Sequence, residues 1–591
     1  MPPPPNQTRP EEFLFKTMEE TIKIADYLFE RLRQLGVRSL FGVPGDYNLT
    51  LLDYVEPAGI RWVGNCNELN AAYAADGYAR TNGLGALVTT FGVGELSAAN
   101  GIAGAYAEKV PVVHIVGTPS RTLQESRALM HHTFADGEYR RFAAMHSHIT
   151  IGQTNLTDPR TALQQIEWIL QQALLHSRPV YLEIPEDMVG FSVLTSSLIP
   201  VPPSQFINSC PQALECILQR MYSAQRPLIL VDGESRPCGI LGHIEDLIQS
   251  TGWPTWTTTF GKGLTNEQMR NVHGVYVGVY GNKEYKAYFE SADLVIHLGP
   301  HLSDTNSQGF TILPNEEITI AFSETFVRVG GRTFRDLSCR GLIKQLLQEL
   351  DRGQLVKVDG LPNYIIAVGE TSLRDSITQE QFYRFVNPLF CSGDIVLTET
   401  GTAAHGGRSF RFPPNVRMIT ATTWLSIGYM LPATLGAALA QREGREREVP
   451  LPQTVEHRAR PCVILFVGDG SLQMSIQELS TIIRQKVSAI IFIINNNGYT
   501  IERAIHGRNQ GYNDIASWCH LQALSFFGDD EDHAKKSTFT ARTWEELGSV
   551  LRVVRRGDGV RLVEVFMGQD DCQGSLSDLL KKQIAAEKMT E

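Results

Sequence analysis

Short apolar segments rich in β-branched residues alternate along the chain with segments whose apolar residues recur every three or four positions. The apolar segments lack the polar alternation of a half-exposed strand, which is typical of parallel strands buried on both faces of a sheet. They predict strands at residues 39–43, 86–91, 111–116, 180–184, 227–231, 253–258, 293–298, 318–322, 394–398, 416–420, 462–467, 489–494 and 561–566.

The segments between these strands carry a helical pattern. Leu163, Leu170 and Leu174 fall on one face of a helix predicted over residues 162–175, and residues 472–483 predict a second amphipathic helix. Strands that alternate regularly with helices indicate doubly wound sheets with helices on both faces. The fold class is therefore predicted to be α/β.

Two polar segments divide the chain into domains. Residues 199–204 form a proline-rich linker, and residues 350–373 carry glycine and proline without strong periodicity. We therefore expect three doubly wound, parallel-sheet domains, an N-terminal one at 1–198, a central one at 205–360 and a C-terminal one at 374–591. The central unit has no nucleotide-binding fingerprint.

A charged segment interrupts the last of these units. Residues 441–460 contain two prolines and many charged side chains. This composition predicts an exposed surface loop, and a regulatory or partner-binding role is the less favoured alternative.

Composition narrows the class of protein. Hydrophobic residues make up 42% and charged residues 20% of the 591 residues, which is typical of a globular chain. The net charge is −11 and no strongly basic stretch stands out, so nucleic-acid binding is not expected. The longest apolar run, residues 489–494, is far shorter than the roughly 20 residues of a membrane span.

The cysteines and the N-terminus indicate the compartment. The nine cysteines are scattered and contain no C-x-x-C pair, which favours a reducing environment without a disulfide framework or zinc site. The segment from Met1 to Glu20 lacks the apolar core of a signal peptide. We expect a cytoplasmic protein without a membrane segment.

Two loops carry the clearest chemistry. Asp469 and Gly470 follow one apolar strand, and Asn496 and Gly498 follow the next, with a helical segment and that second strand between them. A helical crossover would place both loops at the carboxyl edge of one sheet, where ligands bind in open α/β folds. Carboxylate, amide and carbonyl oxygens suit Mg²⁺, and a helix N-terminus next to glycines suits a diphosphate. Two ordinary turns are the alternative.

This spacing resembles that of thiamine-diphosphate enzymes, and further motifs resemble the pyruvate decarboxylase family within them. The matching segments are Gly45-Asp46-Tyr47-Asn48, residues 67–80, residues 89–97, His131-His132-Thr133, Glu399-Thr400-Gly401-Thr402 and Tyr499-Thr500-Ile501-Glu502. They fall in the first and third units, and the N-terminal ones are long enough to be specific.

The resemblance implies thiamine diphosphate and Mg²⁺ as cofactors. It implies metal ligands at Asp469, Asn496 and Gly498, and cofactor contacts from Glu68, Thr400, Thr402, Leu425, Ile427, Asp469, Gly470, Ser471, Asn496 and Gly498. Glu68 would share a proton with the aminopyrimidine of the cofactor, and Ile427 would be the apolar wedge that bends it. A solvated carboxylate and ordinary core packing are the plainer alternatives for these two residues.

The reaction implied is the non-oxidative decarboxylation of a 2-oxo acid to an aldehyde and CO₂. Besides Glu68, the family's catalytic cluster matches Asp46, His131, His132 and Glu502, whose acids and imidazoles can hold and relay protons near neutral pH. In this family the active site lies between two subunits, so a homodimer or homotetramer is implied.

The sequence departs from the family pattern at several positions. Leu425 replaces a common glycine, which would harm cofactor binding if the backbone there required glycine. In the implied substrate pocket Thr305, Ala404 and His405 occupy places where bulky aromatic residues are usual, whereas Ile501 and Ile505 suit pyruvate.

The identity of the substrate is therefore left open. Pyruvate, yielding acetaldehyde, is the first expectation, and larger acids such as phenylpyruvate, indole-3-pyruvate or branched-chain 2-oxo acids are the alternative. A carboligase is less favoured because His131, His132 and Glu502 supply protons that a ligase must withhold. Leu425 and His405 leave a third alternative open, a catalytically weak paralogue with a regulatory role.

Overall fold

The computed structural model describes most of the chain. It covers residues 21–195, 210–358, 361, 372–447 and 460–590. The predicted linker at 199–204 and residues 359–360 and 362–371 of the predicted boundary at 350–373 lie outside the described residues, so the exact domain limits stay a prediction.

The N-terminal unit is a six-stranded parallel sheet in the order β3-β2-β4-β5-β7-β6, with a small antiparallel pair, β1 and β8, beside it. Its strands are β1 Thr21–Lys23, β2 Ser39–Gly42, β3 Arg61–Trp62, β4 Gly85–Thr90, β5 Val112–Thr118, β6 Gln153–Asn155, β7 Val180–Pro185 and β8 Ser192–Leu194. Its helices are α1 Ile24–Gln34, α2 Leu49–Leu52, α3 Glu68–Asn82, α4 Val93–Ala107, α5 Arg121–Glu125, α6 Arg141–His146, α7 Ala162–His176 and α8 Glu186–Val189.

The central unit has a seven-stranded sheet in the order β11-β10-β9-β12-β13-β14-β15, which is parallel except for the antiparallel β13-β14-β15 edge. Its strands are β9 Pro227–Val231, β10 Thr255–Thr257, β11 Val272–Val275, β12 Leu294–Leu298, β13 Thr319–Phe322, β14 Phe326–Val329 and β15 Arg332–Arg335. Its helices are α9 Pro211–Ser223, α10 Leu241–Thr251, α11 Lys283–Glu290 and α12 Cys339–Glu349.

The C-terminal unit has a six-stranded parallel sheet in the order β17-β16-β18-β19-β21-β20. Its strands are β16 Ile395–Thr398, β17 Arg417–Thr420, β18 Val463–Gly468, β19 Ala489–Asn495, β20 Thr538–Ala541 and β21 Val560–Phe566. Its helices are α13 Gln379–Phe385, α14 Thr402–Gly407, α15 Met430–Arg447, α16 Asp469–Leu472, α17 Glu478–Arg484, α18 Thr500–Ile505, α19 Ala523–Phe526, α20 Glu531–Ser537, α21 Trp544–Val553 and α22 Ser575–Thr590.

The predicted strands and the α/β class are confirmed. Every predicted strand coincides with one in the structure to within about two residues at each end, because each is buried on both faces. The strands that sequence patterns missed are short edge or hairpin strands such as β3, β6 and β15, which carry too few apolar residues for a signal.

Two helix predictions need correction. The helix predicted at 472–483 is broken into α16 and α17, because the buried Ser475 between them turns to donate its hydroxyl to Gly428 O at 2.7 Å. In α7 the predicted apolar face is buried at Leu163 and Leu170, but Leu174 is 42% exposed because it lies at the open end of that helix.

The charged segment at 441–460 also differs from the prediction. Residues 441–447 are not a loop but the last two turns of α15, and residues 448–459 lie outside the described part of the chain. The Glu443 carboxylate is buried there, where it accepts hydrogen bonds from Ser39 Oγ and from Tyr78 Oη, both at 2.6 Å. This part of the segment therefore joins the C-terminal unit to the N-terminal one.

Helices α3 and α15 are packed backbone against backbone. A Cβ added at Gly77 would lie 2.3 Å from Ala433 O, and one added at Gly436 would lie 1.9 Å from Ala74 O. Because side chains of one carbon or none line this crossing, α3 is buried on almost every side although it has no apolar stripe of large residues. The contact fixes the N-terminal unit on the C-terminal unit of the same chain.

Substitution of Gly436 tests this contact. We expect Gly436→Ala to lower the free energy of unfolding by about 1–3 kcal/mol, because the new methyl group clashes with the α3 backbone. Gly444→Ala is the matched control, since a Cβ at Gly444 of the same helix meets nothing within 4 Å. The control should be neutral or stabilise by up to about 1 kcal/mol. Urea denaturation measures both, and equal effects would contradict the close crossing.

Candidate active site

Three loops meet at the edge of the C-terminal unit's sheet where its parallel strands end. Strands β16, β18 and β19 are parallel neighbours, so the loops that follow them meet at one edge. Ser471 Oγ donates to Thr400 O at 3.4 Å, which joins the first loop to the second. Gly498 N donates to Asp469 Oδ2 at 3.2 Å, which joins the second to the third. The two loops that the sequence predicted to be adjacent are therefore in contact.

The first loop is held by a buried acid. The Glu399 carboxylate accepts hydrogen bonds from Thr400 N at 2.8 Å and from Met430 N at 2.9 Å. Burial raises the pKa of Glu399 to about 7. Thr402, which begins α14, is buried, and the half-buried Thr400 has a buried Oγ1 that finds no partner in the described structure. The loop thus offers an unused hydroxyl to a ligand.

Asp469 is a buried carboxylate without a basic partner among the described residues. It accepts hydrogen bonds from Gly470 N at 2.8 Å and from Gly498 N, and burial raises its pKa. A buried negative charge is costly unless a cation or hydrogen bonds compensate it. Two backbone donors compensate it in part, which leaves room for a cation.

The oxygens around Asp469 are arranged as such a cation requires. When the Asn496 amide is oriented with its oxygen toward these groups, that oxygen lies 2.9 Å from Gly498 O and 3.1 Å from Asp469 Oδ1. Adjacent ligands of an octahedral Mg²⁺ ion, each about 2.1 Å from the metal, are about 3 Å apart. An amide in the opposite orientation would instead donate to both oxygens.

A second contact of the Asn496 amide supports the first orientation. The Asn496 amide nitrogen lies 2.9 Å from Thr500 Oγ1, which itself donates to Gln569 O at 2.8 Å. Since the Thr500 hydroxyl donates its hydrogen bond to Gln569 O, its oxygen is free to accept one from the Asn496 amide nitrogen. The residues present therefore fit a magnesium ion.

The N-terminal unit carries a compact acid–imidazole cluster. Asp46 Oδ2 is hydrogen-bonded to His131 Nε2. A carboxylate oxygen of Asp46 and one ring nitrogen each of His131 and His132 all lie within 4.8 Å of one another. Burial works to raise the pKa of Asp46, but the hydrogen bond to His131 and the imidazole charges bring that pKa below its usual value. The structure therefore brings these three predicted site residues together, and their roles stay a prediction.

Aromatic and glycine contacts hold the two imidazoles in place. Tyr47 Oη lies 3.3 Å from His131 Nδ1, and the Tyr47 and His131 rings are stacked with centroids 4.9 Å apart. His132 has a left-handed backbone, φ 69°, and its carbonyl would be 2.3 Å from a Cβ at Gly92. Any larger residue at 92 would therefore displace the histidine loop.

Glu68 begins α3, where the Asn67 side chain caps the helix by accepting from Asn70 N at 2.8 Å. Its carboxylate is half-buried and bonds to no other side chain among the described residues, and burial raises its pKa. Glycine at 94 makes room for it, since a Cβ there would lie 3.0 Å from Glu68 Oε1. The raised pKa and free oxygens suit a group that shares a proton with a ligand.

Residues 424–428, called here the wedge loop, are fastened to the N-terminal unit. Ser426 Oγ lies 2.8 Å from Tyr73 Oη of α3, and Asn100 of α4 donates to Ser426 Oγ at 3.0 Å. Asn100 also accepts from Trp424 Nε1 at 2.8 Å. Ile427 in this loop is half-buried, which leaves part of its side chain free to touch a ligand.

A buried ion pair anchors the backbone just before the wedge loop. Glu108 accepts from Thr422 N at 2.7 Å and from Thr423 N at 3.0 Å, and it pairs with Arg80 at 2.8 Å. Burial works to raise the pKa of Glu108, but the Arg80 charge and the backbone donors outweigh it and lower that pKa. Glu108, Tyr73 and Asn100 were not identified from sequence, because the loop that they hold belongs to a different unit of the chain.

Leu425 adopts the conformation that makes glycine common at such positions. Its φ is 55°, in the left-handed region, which costs a leucine about 1–2 kcal/mol. The hydrogen bonds of Ser426 and Trp424 on either side hold it there. The backbone therefore has the left-handed geometry that glycine adopts easily. Leucine at this position does not prevent that geometry but makes it less stable.

The predicted pocket residues come from two units. Thr305 lies in the central unit, where its hydroxyl bonds to Thr422 O, while half-buried Ala404 and His405 lie on α14. Ile501 on α18 packs near the start of α14, with Cγ1 3.9 Å from a Cβ added at Gly401. The predicted pocket residues thus lie at two contacts, one between the central unit and Thr422 and one between α18 and the start of α14.

The two predicted halves of the site are not joined by direct bonds between the described residues. Among the described residues, no hydrogen bond or ion pair joins Glu68, Asp46 or the histidines to the Asp469 loops or to Glu502. Glu502 is exposed and Ile505 is 54% exposed on α18.

Fold and geometry together define an enzyme that binds thiamine diphosphate. The family models "Thiamine pyrophosphate enzyme, N-terminal TPP binding domain", "central domain" and "C-terminal TPP binding domain" match residues 22–138, 214–350 and 399–565. A 4-hydroxybenzoylformate decarboxylase from Rhodococcus jostii RHA1, which is thiamine diphosphate-dependent, shares the fold with a TM-score of 0.73 at 17% identity. The alignment covers 93% of this chain and all of that one.

Sequence relatives narrow the class. A pyruvate decarboxylase of Aspergillus parasiticus is 51% identical over 96% of this chain and 98% of its own length. Pyruvate decarboxylase isozyme 1 of Saccharomyces cerevisiae is 37% identical over 95% of this chain and 99% of its own length. The chain belongs to the pyruvate decarboxylase family of thiamine-diphosphate-dependent carboxy-lyases. In the described part of the chain, no helix is both long and apolar enough to span a bilayer.

The left-handed leucine gives a test of the wedge loop. We expect Leu425→Gly to keep the affinity for thiamine diphosphate within about threefold, because glycine adopts this left-handed φ freely. Leu425→Val should weaken that affinity by about tenfold or more, because a branched Cβ disfavours the left-handed region. Titration calorimetry with Mg²⁺ present measures both. Equal weakening by Gly and Val would mean that the leucine side chain, and not the backbone, serves the cofactor.

Proposed function

We propose that the protein catalyses the non-oxidative decarboxylation of pyruvate to acetaldehyde and CO₂ with thiamine diphosphate and Mg²⁺. The observation that carries the proposal is the Asp46–His131–His132 cluster, set apart from a carboxylate loop that fits a magnesium ion. A decarboxylase has to deliver a proton to the reacting carbon, and such a cluster can supply it near neutral pH. The relatives named pyruvate decarboxylase support the same substrate.

In this proposal the C-terminal unit binds the diphosphate end of the cofactor. Asp469, Asn496 and the Gly498 carbonyl hold Mg²⁺, while Thr400, Thr402, Gly470 and Ser471 contact the phosphates. Gly470 N lies at the start of α16, and its backbone is close to the Tyr499 ring, so a side chain at 470 would fill this space. The bound cofactor supplies the electron sink that decarboxylation requires.

Glu68, Leu425 and Ile427 would prepare the cofactor for reaction. Glu68, with its raised pKa, holds a proton at the aminopyrimidine and returns it. The Leu425 carbonyl and the uncovered part of the Ile427 side chain would contact the cofactor and hold it in a reactive orientation.

The acid–imidazole cluster would manage the remaining proton. His131 and His132 would exchange it with Asp46, which is hydrogen-bonded to His131. Glu502 on α18 of a second subunit would join this cluster as a further acid. The stacking of Tyr47 on His131 keeps the relay at a fixed distance.

The site would be completed by a second copy of the chain. Glu68, Asp46 and the histidines of one subunit would face Asp469 and Glu502 of another, which accounts for their separation within one chain. A homodimer is the minimum assembly, and a homotetramer of two such dimers is also consistent. A cytoplasmic location stays a prediction.

The pocket also favours a second candidate substrate class. Thr305, Ala404 and His405 are smaller than the aromatic residues usual in the family, so the pocket accepts a larger 2-oxo acid. Phenylpyruvate, indole-3-pyruvate and branched-chain 2-oxo acids are the candidates. Each added methylene is worth only about 1–3 kcal/mol of discrimination, so pyruvate need not be excluded.

Product analysis tests the proposal. Purified protein with thiamine diphosphate and Mg²⁺ should release CO₂ and an aldehyde from pyruvate or from a larger 2-oxo acid. Glu68→Gln should bind the cofactor but lose most of the exchange of its C2 proton, measured by NMR in ²H₂O. An acyloin without free aldehyde would indicate a carboligase, and cofactor binding without turnover would indicate a regulatory paralogue. Unchanged proton exchange would remove Glu68 from the mechanism.

Mixing two inactive variants tests the shared site. Glu68→Gln and Asp469→Ala subunits, unfolded and refolded together, should regain about a quarter of wild-type activity. Half of random dimers are mixed, and each mixed dimer has one site free of both changes. Each variant refolded alone is the control. Failure to regain activity in dimers shown to be mixed would place both residues in one subunit's site.

A further inference from the structure

Arg408 is a half-buried cation that forms no ion pair with a described residue. It follows α14 directly, and its Nη1 donates to Gln308 Oε1 at 3.3 Å. Its Nε is buried and finds no acceptor among the described residues, and burial lowers the pKa of Arg408 to about 10. A guanidinium in such surroundings is costly unless an anion compensates it.

Gln308 next to Arg408 also has an unused donor. Its Nε2 is buried without an acceptor, and its φ of 53° lies in the left-handed region. That conformation costs a glutamine roughly 1–2 kcal/mol, and backbone strain of this kind is concentrated at binding sites. Two neighbouring side chains therefore present buried N–H groups with nothing to receive them.

The pair lies beside the predicted substrate pocket. Gln308 comes one turn after Thr305, and Arg408 comes one turn after Ala404 and His405. The hydrogen bond from the Thr305 hydroxyl to Thr422 O joins the central unit to the C-terminal unit at this point. Thr305 and Ala404 carry small side chains, and the contact of Arg408 with Gln308 joins the two segments on which they lie.

His405 adds no positive charge to this corner. Burial, with a contribution from the nearby Arg408, lowers the pKa of His405 to about 3, so its imidazole is neutral. The position of Arg408 at the end of α14 is favourable for its charge through the helix dipole. That interaction leaves Nε of Arg408 and Nε2 of Gln308 without acceptors, so it does not account for them.

We propose that Arg408 and Gln308 form a subsite for the distal carboxylate of a dicarboxylic 2-oxo acid. A guanidinium and a carboxylate match in charge and geometry, and an oxygen between the two side chains can accept from both. A purely apolar substrate of the same length would bury the cation further without pairing it. This inference rests on the proposed function, because it assigns a substrate class to the same site.

Substrates of matched shape test the subsite in the holoenzyme. The acids are 2-oxoglutarate and 2-oxoadipate, and their uncharged counterparts are 5-methyl-2-oxohexanoate and 6-methyl-2-oxoheptanoate, in which an isopropyl group replaces the carboxylate. Arg408→Gln should lower kcat/KM about tenfold or more for the acids and less than about threefold for the counterparts. Arg408→Lys should retain part of the acid activity. Arg374→Gln, at an exposed remote arginine, is the control and should change neither.

Binding of glutarate gives a readout that does not depend on turnover. Glutarate cannot be decarboxylated by this chemistry, and its affinity, measured by calorimetry, should fall about tenfold or more in Arg408→Gln. Equal losses for acids and counterparts would overturn the subsite in favour of a structural role of Arg408. Wild-type protein that converts the counterparts but neither converts nor binds dicarboxylates would also overturn it, while the proposed function stands. If no 2-oxo acid is decarboxylated, the proposed function fails, and Arg408-dependent glutarate binding would still support the subsite.

Discussion

The close crossing of α3 and α15 is the contact on which the arrangement of the candidate site depends. At this crossing glycine and alanine let two backbones touch, so the N-terminal unit has little freedom to rotate on the C-terminal one. Around the crossing, the buried Arg80 is paired with both Asp76 and Glu108. Separating a buried cation from its two carboxylate partners is costly. These ion pairs therefore fix the relative orientation of the groups around a crossing that small side chains make close.

Helix α3 connects features that belong to different halves of the site. Its first residue is Glu68, and one and a half turns later Tyr73 holds Ser426 of the wedge loop. A rigid helix thus sets the distance between a carboxylate at its N-terminus and a loop of another unit. If the active site is shared between subunits, these two ends serve different sites, and α3 is a physical link between them.

Charges in this protein fall into two groups according to their partners. Lys262 with Glu267 and Arg555 with Asp394 are buried pairs that each lie within one unit and have a structural role. Asp469, Glu68 and Arg408 instead are wholly or partly buried and have no oppositely charged partner among the described residues. Since proteins rarely leave such groups uncompensated, the second group marks where ligands are expected to supply the missing charge or proton.

Sequence patterns alone were enough to predict the α/β class, the position of every long buried strand and the adjacency of the Asp469 and Asn496 loops. These follow from local apolar patterns and from the rule that neighbouring parallel strands end at the same edge. The same patterns did not predict the break at Ser475, the helical course of residues 441–447 or the left-handed Leu425, because each is imposed by a partner distant in the chain. The hold of Asn100 and Glu108 on the wedge loop and the unpaired state of Arg408 likewise became visible only in the folded chain. Hydrogen bonds and charge compensation between distant parts of the chain leave no periodic trace in a sequence, whereas the burial of a strand does.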